Sequence, residues 1–310
     1  MRAGHNAVLR ILEPITDCNA PHYNYLHEKH SGGHPMITNQ SSRLSTRAGA
    51  SVTYPKISIV TPSLNQGRFI EEMIQSVLSQ GYPNLEFIVM DGGSSDNTVD
   101  ILKRYSGQLK WVSEKDRGQT DAINKGLRIA DGEILAYLNA DDVFLPGTLF
   151  KVAQIFMEHP ATMWVTGQCR IVDEDNREIR RLITAYKNFW LRFGQRFILL
   201  ITDYISQPAT FWRAKALEDF GYPDESLHYA MDYEYWLRLY SKYPPLFIPE
   251  YLAAFKVQPH SKTSTTGHKD IFVDEERAAV ERHTNSKVLL ALHDIHRWLM
   301  TSVYSIINRG

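Results

Sequence analysis

The sequence predicts an α/β fold with a mostly parallel central sheet, and three observations carry that expectation. Short β-rich runs alternate with helical periodicity through residues 57–145, the pattern of successive βαβ units. Each run ends in a polar, often acidic turn. The run Ile134-Leu135-Ala136-Tyr137-Leu138 is apolar throughout, as a strand covered on both faces must be, and it stops at Asn139-Ala140-Asp141-Asp142. Ligands of open α/β sheets bind beyond the carboxyl ends of the strands, so these turns mark the expected site.

The elements follow in order. Ile57-Ser58-Ile59-Val60 is the first strand and leads into Thr61-Pro62-Ser63-Leu64-Asn65. Ile70, Met73, Ile74, Val77 and Leu78 recur at helical spacing, and Gly81 with Pro83 stops that helix. Leu85 to Met90 is the second strand, ending in Asp91-Gly92-Gly93-Ser94-Ser95-Asp96, with Asp96 placed to cap a helix carrying Val99, Ile101 and Leu102. Trp111-Val112-Ser113 is a third strand, followed by polar residues 114–119. A helix over Thr120 to Ala130 then leads to the strand at Glu133 to Leu138.

The second half is less regular. Leu149 to Met157 is amphipathic and stops before Pro160. Trp164 to Val172 and Glu178 to Ile183 read as strands joined by a turn at Glu174-Asp175-Asn176. From Tyr186 to Ile201, Phe189, Trp190, Phe193, Phe197 and Ile198 are interleaved with Lys187, Arg192 and Arg196. That composition suits a core helix with a basic outer face, or an element that meets a membrane surface or an acceptor. Tyr233, Trp236, Leu237 and Tyr240 form the apolar face of a helix with Asp232 in its first turn. Leu246 to Ile248 and Leu252 to Val257 read as strands leading to the polar loop His260-Ser261-Lys262-Thr263-Ser264. Val288, Leu292, Ile295, Leu299, Ser302 and Ile306 follow 4-3 spacing, which makes one apolar seam on a terminal helix.

Composition narrows the classes. The chain has 310 residues, 34 basic against 35 acidic, so net charge offers nothing to attract nucleic acid. Apolar residues make up 43% of it, enough for a sizeable core. Cys18 and Cys169 form neither a disulfide framework nor a zinc motif, which suits a reducing compartment such as the cytoplasm. No run reaches the ~18–20 apolar residues of a spanning helix. Arg10, Glu13 and Asp17 interrupt the apolar residues near the N-terminus, so no signal peptide is expected. Residues 1–54 read as a polar tail or appendage, and His22, His27, His30 and His34 within it match no zinc spacing.

The chemistry starts with Asp141 and Asp142. Adjacent carboxylates repel unless a cation or donors neutralise them, and oxygen ligands of this kind suit Mg²⁺ or Mn²⁺ shared with a substrate phosphate. The plainer reading is that they cap the helix near Pro146-Gly147-Thr148. Neither G-x-G-x-x-G nor G-x-x-x-x-G-K-[ST] occurs. A metal-type acidic pair, acids at other strand ends and a later Asp at a helix start fit sugar transfer from a nucleotide-sugar. They fit nucleotidyl transfer equally, and a non-catalytic glycan-binding or scaffold protein is the third alternative.

Six blocks carry a resemblance. They are Thr61-Pro62-Ser63-Leu64-Asn65, Asp91 to Asp96, Asp116 with Asp121 to Gly126, Leu138 to Asp142, Gln207-Pro208-Ala209, and Asp232 to Arg238. In order and spacing they resemble the family 2 glycosyltransferases over about residues 55–265. The resemblance implies a GT-A fold, a Rossmann-like sheet flanked by helices, with a mixed acceptor-side region and C-terminal helices. It implies inverting transfer from a nucleotide-diphosphate sugar, assisted by Mn²⁺ or Mg²⁺, to a saccharide or lipid-linked acceptor in surface polysaccharide or glycan synthesis.

Carried over by position, Thr61, Pro62 and Asn65 would line the nucleotide pocket and Asp91 would contact base or ribose. Asp121 and Asp142 would approach the nucleotide or donor sugar. Asp141 would hold the metal, and Asp232 would be the catalytic base, kept deprotonated by its helix dipole. Gln207 belongs to a substrate-binding block, and His260 sits where a loop would close on the diphosphate. Two positions depart from the usual pattern: Asn139 stands where many members have Asp, and Met231 where many have Glu. The expected layout is a tail over 1–54, a catalytic domain over 55–265 (nucleotide half 55–145, acceptor half 146–265), and a helical extension over 266–310. The aromatic-basic stretch and the terminal seam are the features that would hold such a protein at the inner face of a membrane. The seam is equally a candidate homodimer contact.

Overall fold

The computed structural model describes residues 53–258 and 269–307. The expected tail with its histidines, Cys18 and the loop carrying His260 lie outside the described residues. Four parallel strands form the first half of the sheet: β1 (Ile57–Ser63), β2 (Leu85–Asp91), β3 (Lys110–Ser113) and β4 (Ile134–Tyr137). β1 lies between β2 and β4, and β3 flanks β2. Helices α1 (Ile70–Leu78), α2 (Thr98–Arg104) and α3 (Gln119–Ile129) make the crossovers. The remaining strands are β5 (Val143–Phe144), β6 (Trp164–Val172), β7 (Thr210–Arg213) and β8 (Leu246–Lys256). All eight join one sheet in the order β3-β2-β1-β4-β7-β6-β8-β5. β7 pairs antiparallel with both β4 and β6, so the direction of the sheet reverses beside β4.

Strand alternation distributes the core over two faces. Ile57, Ile59, Phe87, Val89, Ile134 and Ala136 pack against α1, α2 and α4 (Thr148–Glu158). Val60, Ile88, Met90, Leu135 and Tyr137 face the other way, against α3 and α8 (Met231–Lys242). α3 comes close to the sheet because of Gly126, where a Cβ would land 2.3 Å from Val60 Cγ1 and 3.2 Å from Met90 Cγ. The rest of the second face is covered by α9 (Lys269–Glu281), whose Ala279 and Val280 are fully buried, and by α10 (Lys287–Ile307). Among the described residues no helix is long and apolar enough to cross a membrane.

Three expectations about elements are corrected. Glu178 to Ile183 is not a strand: one bridge, Val172 to Glu178, closes the turn. Arg180 then turns the chain left-handed (φ 52°), and helix α5 (Arg181–Phe193) begins, burying Ile183, Thr184 and Leu191. The expected element over 186–201 is therefore two helices, α5 and the single turn α6 (Arg196–Leu199), divided at Gly194. The two strands expected at 246–248 and 252–257 are one strand, β8. Its register against β6 jumps from Gly167–Ile248 to Gln168–Tyr251 and then Cys169–Ala253. Pro249, with no N–H to give, falls in that irregular stretch. The short α7 (Lys215–Phe220) precedes the loop into α8.

The close approach at Gly126 yields a prediction. Gly126→Ala overpacks the α3–sheet interface and costs about 1–3 kcal/mol. A thermal melt should show a clear drop, while the exposed Lys103→Ala leaves the midpoint unchanged.

Candidate active site

The carboxyl ends of β1, β2 and β4 converge on one edge, as the alternation predicts. Asp91 closes β2 with its carboxylate buried. Oδ2 accepts from the Gly93 amide (3.2 Å), the Ser94 amide (2.9 Å) and the Ser113 hydroxyl (2.6 Å), and Oδ1 accepts from the Ser94 hydroxyl. Asp91 thus shapes the turn and ties it to β3. Asn65 is left-handed (φ 53°), and its Oδ1 accepts from the Ser95 amide at 2.8 Å, while its own amide donates to Ser94 Oγ at 2.7 Å. Asp96 accepts from the Thr98 amide and hydroxyl and from the Gly67 amide at 2.9 Å, so it binds the first amide of α2 from one residue ahead of the capping position, which Asn97 occupies, and holds the β1 loop. Gly92 is needed for space: a Cβ there would lie 2.5 Å from Asp116 Oδ2. Thr61 and Pro62 are buried, and the Thr61 hydroxyl meets Met73 Sδ at 3.6 Å, so that side chain points into the core.

Asp141 and Asp142 do not cap α4. That helix begins after left-handed Gly147 with no side-chain cap. The two-residue strand β5, absent from the sequence expectation, pairs Val143 with Ala254 and draws the acidic turn beside the end of β8. Asp142 is fully buried; its Oδ1 accepts from the Lys256 amide at 2.9 Å and its Oδ2 from Asn139 Nδ2 at 3.2 Å. Asp141 is half-buried and accepts from Gln258 Nε2. Burial pushes both carboxyls up, Asp142 further because Asp141 stands beside it. Asn139 Oδ1 accepts from Gln119 Nε2 at 2.7 Å, and Gln207 Nε2 donates to the Tyr137 carbonyl at 2.5 Å. Gln207 is buried and buttresses the end of β4.

Among the described residues no three His, Cys, Asp or Glu side chains form a ready-made metal cage. A Mg²⁺-class ion needs only one or two protein carboxylates when phosphate and water complete its shell. A half-buried carboxyl beside a second one, both strained toward the neutral form by burial, is a donor set that such an ion fits.

Asp232 occupies the second position of α8 and is half-buried. Its Oδ1 accepts from the Tyr233 amide at 2.8 Å. Burial, then the charge of Asp203, pushes its carboxyl up to about 7. The expected dipole stabilisation is therefore outweighed, and the group titrates near neutrality. Asp203 was not singled out by any motif; it lies after α6, raised by its own burial, with Oδ1 accepting from the Ile205 amide at 3.2 Å. Tyr137, at the end of β4, is buried near these acidic groups. Its phenol is pushed well above its ordinary value by burial, then by Asp232, Asp142 and Asp203.

α8 has no cap of its own, because Ala230 stands at the capping position. Glu275 of α9 instead fixes the loop that enters it. Its carboxylate accepts from the amides of His228 (2.9 Å), Tyr229 (2.6 Å) and Ala230 (3.1 Å). No local sequence signal marks this contact, since Glu275 lies 45 residues downstream of Ala230.

Asp121 lies apart from the acidic pair. It is buried, and Arg117 donates to it from the main-chain amide (3.0 Å) and from Nη2 (2.9 Å), which holds its carboxyl down at about 2. Arg117, Thr120, Asp121, Glu225 and His228 line a cavity of about 250 Å³. The loop over 223–230 forms one wall. It is fixed by Asn124 Nδ2 to the Pro223 carbonyl (2.9 Å) and by Thr120 Oγ1 to the Leu227 carbonyl (3.1 Å).

Comparison with known proteins agrees with this architecture. The putative teichuronic acid biosynthesis glycosyltransferase TuaG of Bacillus subtilis is 33% identical over 135 residues, 42% of this chain and 53% of that one. The poly-beta-1,6-N-acetyl-D-glucosamine synthase of Staphylococcus epidermidis is 30% identical over 176 residues, 55% of this chain and 42% of that one. The chain spans less than half the length of several such relatives, including an uncharacterized glycosyltransferase of Nostoc sp. at 41%. Two solved structures share the fold. S. aureus TarS 1-349 in complex with UDP-GlcNAc has a TM-score of 0.61 and 19% identity over 78% of this chain and 72% of that one. Mannosyltransferase PcManGT from Pyrobaculum calidifontis, in complex with GDP-Man and Mn²⁺, has a TM-score of 0.61 and 20% identity over 82% and 74%. The sheet is thus of the GT-A kind. Residues 58–221, over half of the chain, match Glycosyl transferase family 2, and the protein belongs to that family.

Proposed function

We propose that the chain transfers a sugar, with inversion, from a nucleotide-diphosphate sugar to a hydroxyl of a saccharide or lipid-linked acceptor, in the assembly of a surface polysaccharide or glycan. The observation that carries this reading is Asp232: a half-buried carboxyl at the start of α8, raised to near neutrality by burial and by the charge of Asp203. A general base works best with a pKa close to the operating pH. The relatives named as polysaccharide-building enzymes, and the fold neighbours holding UDP-GlcNAc or GDP-Man, support the donor class.

In this reading the turns after β1 and β2 receive the nucleoside. Their amides and hydroxyls are already ordered by Asp91, Asn65 and Asp96. Asp141 would hold Mn²⁺ or Mg²⁺, which supplies charge neutralisation on the leaving diphosphate. Asp142, anchored to Lys256 and Asn139, fixes the turn from which Asp141 projects. Asp232 takes the proton of the acceptor hydroxyl. The acceptor oxygen bonds to the anomeric carbon as the carbon–oxygen bond to the diphosphate breaks, so the nucleoside diphosphate departs and configuration inverts. Arg117 and Asp121 wall the cavity beside this path.

Three outcomes test the reading. Asp232→Asn should lower turnover by about 10³-fold or more while nucleotide binding, read by thermal shift, is kept; unchanged turnover, or release of pyrophosphate instead of a nucleoside diphosphate, would overturn it. Mn²⁺ should raise the thermal shift given by the correct nucleotide, and Asp141→Ala should abolish that increment. The pH profile follows from the sign of the shift at Asp232. The base must be ionised, so activity should climb through an acid limb near pH 7. Asp203→Asn removes a neighbouring negative charge, eases ionisation of Asp232, and should move that limb to lower pH.

A further inference from the structure

The apolar and aromatic residues of α5, α6 and α10 are only partly used by the core. Leu182, Phe189, Phe193 and Phe197 are each at least half exposed. On α5, Leu182, Tyr186, Phe189 and Phe193 follow i, i+4, i+7, i+11 spacing and so share one face. Phe189 packs edge-on to Trp190 at 5.1 Å and beside Phe193 at 5.3 Å, which makes a ring cluster at the surface. A second stripe, Val288, Leu292, Ile295 and Leu299 on α10, is also exposed, with Trp298 beside it. The stripes meet where Tyr186 stacks on His296 at 5.9 Å, with its hydroxyl 2.7 Å from Nε2. The contact sets the two exposed stripes on neighbouring helices.

Charge selects what covers it. Arg181 and Arg192 are exposed on α5, and from Arg181 to Thr202 the chain has no acidic residue; on α10 the one acid, Asp294, is paired with Arg277 of α9. Arg192 is exposed and lies over the Phe193 ring at 5.5 Å, so cation and aromatic edge are presented together. A two-fold contact between copies would set this patch against itself, basic on basic. The chain's own residues 1–52, with five basic and three acidic side chains, offer no complementary charge. An anionic bilayer offers both an apolar interior for the rings and negative headgroups for the arginines.

We propose that the α5–α6–α10 face docks on a bilayer containing anionic phospholipid. Lys187 on the inner side of α5 donates to the Ile205 carbonyl at 3.2 Å, beside Asp203 and one helix away from Asp232. Docking therefore brings the acceptor side of the site to the membrane, where a lipid-linked hydroxyl is delivered. That last step rests on the proposed transfer reaction; docking itself does not.

Vesicle flotation tests it with the full chain. The protein should float with phosphatidylcholine vesicles containing phosphatidylglycerol and stay behind with phosphatidylcholine alone, and added salt should release it. Arg181→Gln with Arg192→Gln should weaken partitioning roughly thirtyfold. Phe189→Ser with Phe193→Ser should abolish flotation without lowering the melting midpoint, since both rings are exposed. Asp232→Asn should float like the wild type, so loss of turnover and loss of docking are read separately. Absence of flotation, flotation indifferent to both double variants, or a dimer by sedimentation that the Phe variants split would overturn the proposal.

Discussion

Two like charges on adjacent residues set the terms for much of the second half of the molecule. Asp141 and Asp142 stand at the reversal point of the sheet, where water is excluded from one and restricted for the other. Such a pair persists only if the fold supplies donors. β5 exists to reach them: two residues long, it brings the acidic turn against β8, whose Lys256 amide binds Asp142. The Lys256 ammonium, itself buried, crosses to Glu72 on α1 at 2.6 Å. A helix of the first half and a strand of the second are thereby tied through one charged junction.

The first four strands were legible because each obeys a local rule. Apolar runs of strand length alternate with helical periodicity, and Asp96 binds the first amide of α2, though one residue ahead of the capping position. The second half was less legible because its determinants are not local. β5 is too short to carry a pattern. Glu178 to Ile183 has strand-like composition, yet left-handed Arg180 and the burial of Ile183 and Leu191 commit it to a helix. The site shows the same division. The residue types at strand ends gather at one edge of the sheet, whereas their partners, Lys256, Gln258, Asp203 and Glu275, are distant in sequence and belong to no motif. Thr61 illustrates the opposite error: a motif position whose side chain is spent on packing against Met73.

The surroundings of Asp232 are organised by borrowed contacts. The loop that enters α8 carries three consecutive amides, His228, Tyr229 and Ala230. Glu275 accepts from all three from α9, beyond the part of the chain that matches the family. The loop before α8 is meanwhile anchored by α3 on its other flank. The entry to α8 is therefore held between α3 and a C-terminal helix, and the ionisation of Asp232 is governed by burial and by Asp203 more than by its own helix.

The irregular pairing of β8 has a consequence for chain length. Faces of a strand alternate residue by residue, so a shift of one position exchanges inside for outside. Between the register jump near Pro249 and Lys256, the number of residues is what aims the Lys256 amide at Asp142 and sends its side chain inward. Loss or gain of one residue there would turn Phe255 or Val257 toward the acidic turn and strand an ammonium in solvent. This short stretch is an indel-intolerant spacer: burial of Leu252, Ala253 and Ala254 restricts its composition, and the aim of Lys256 restricts its count.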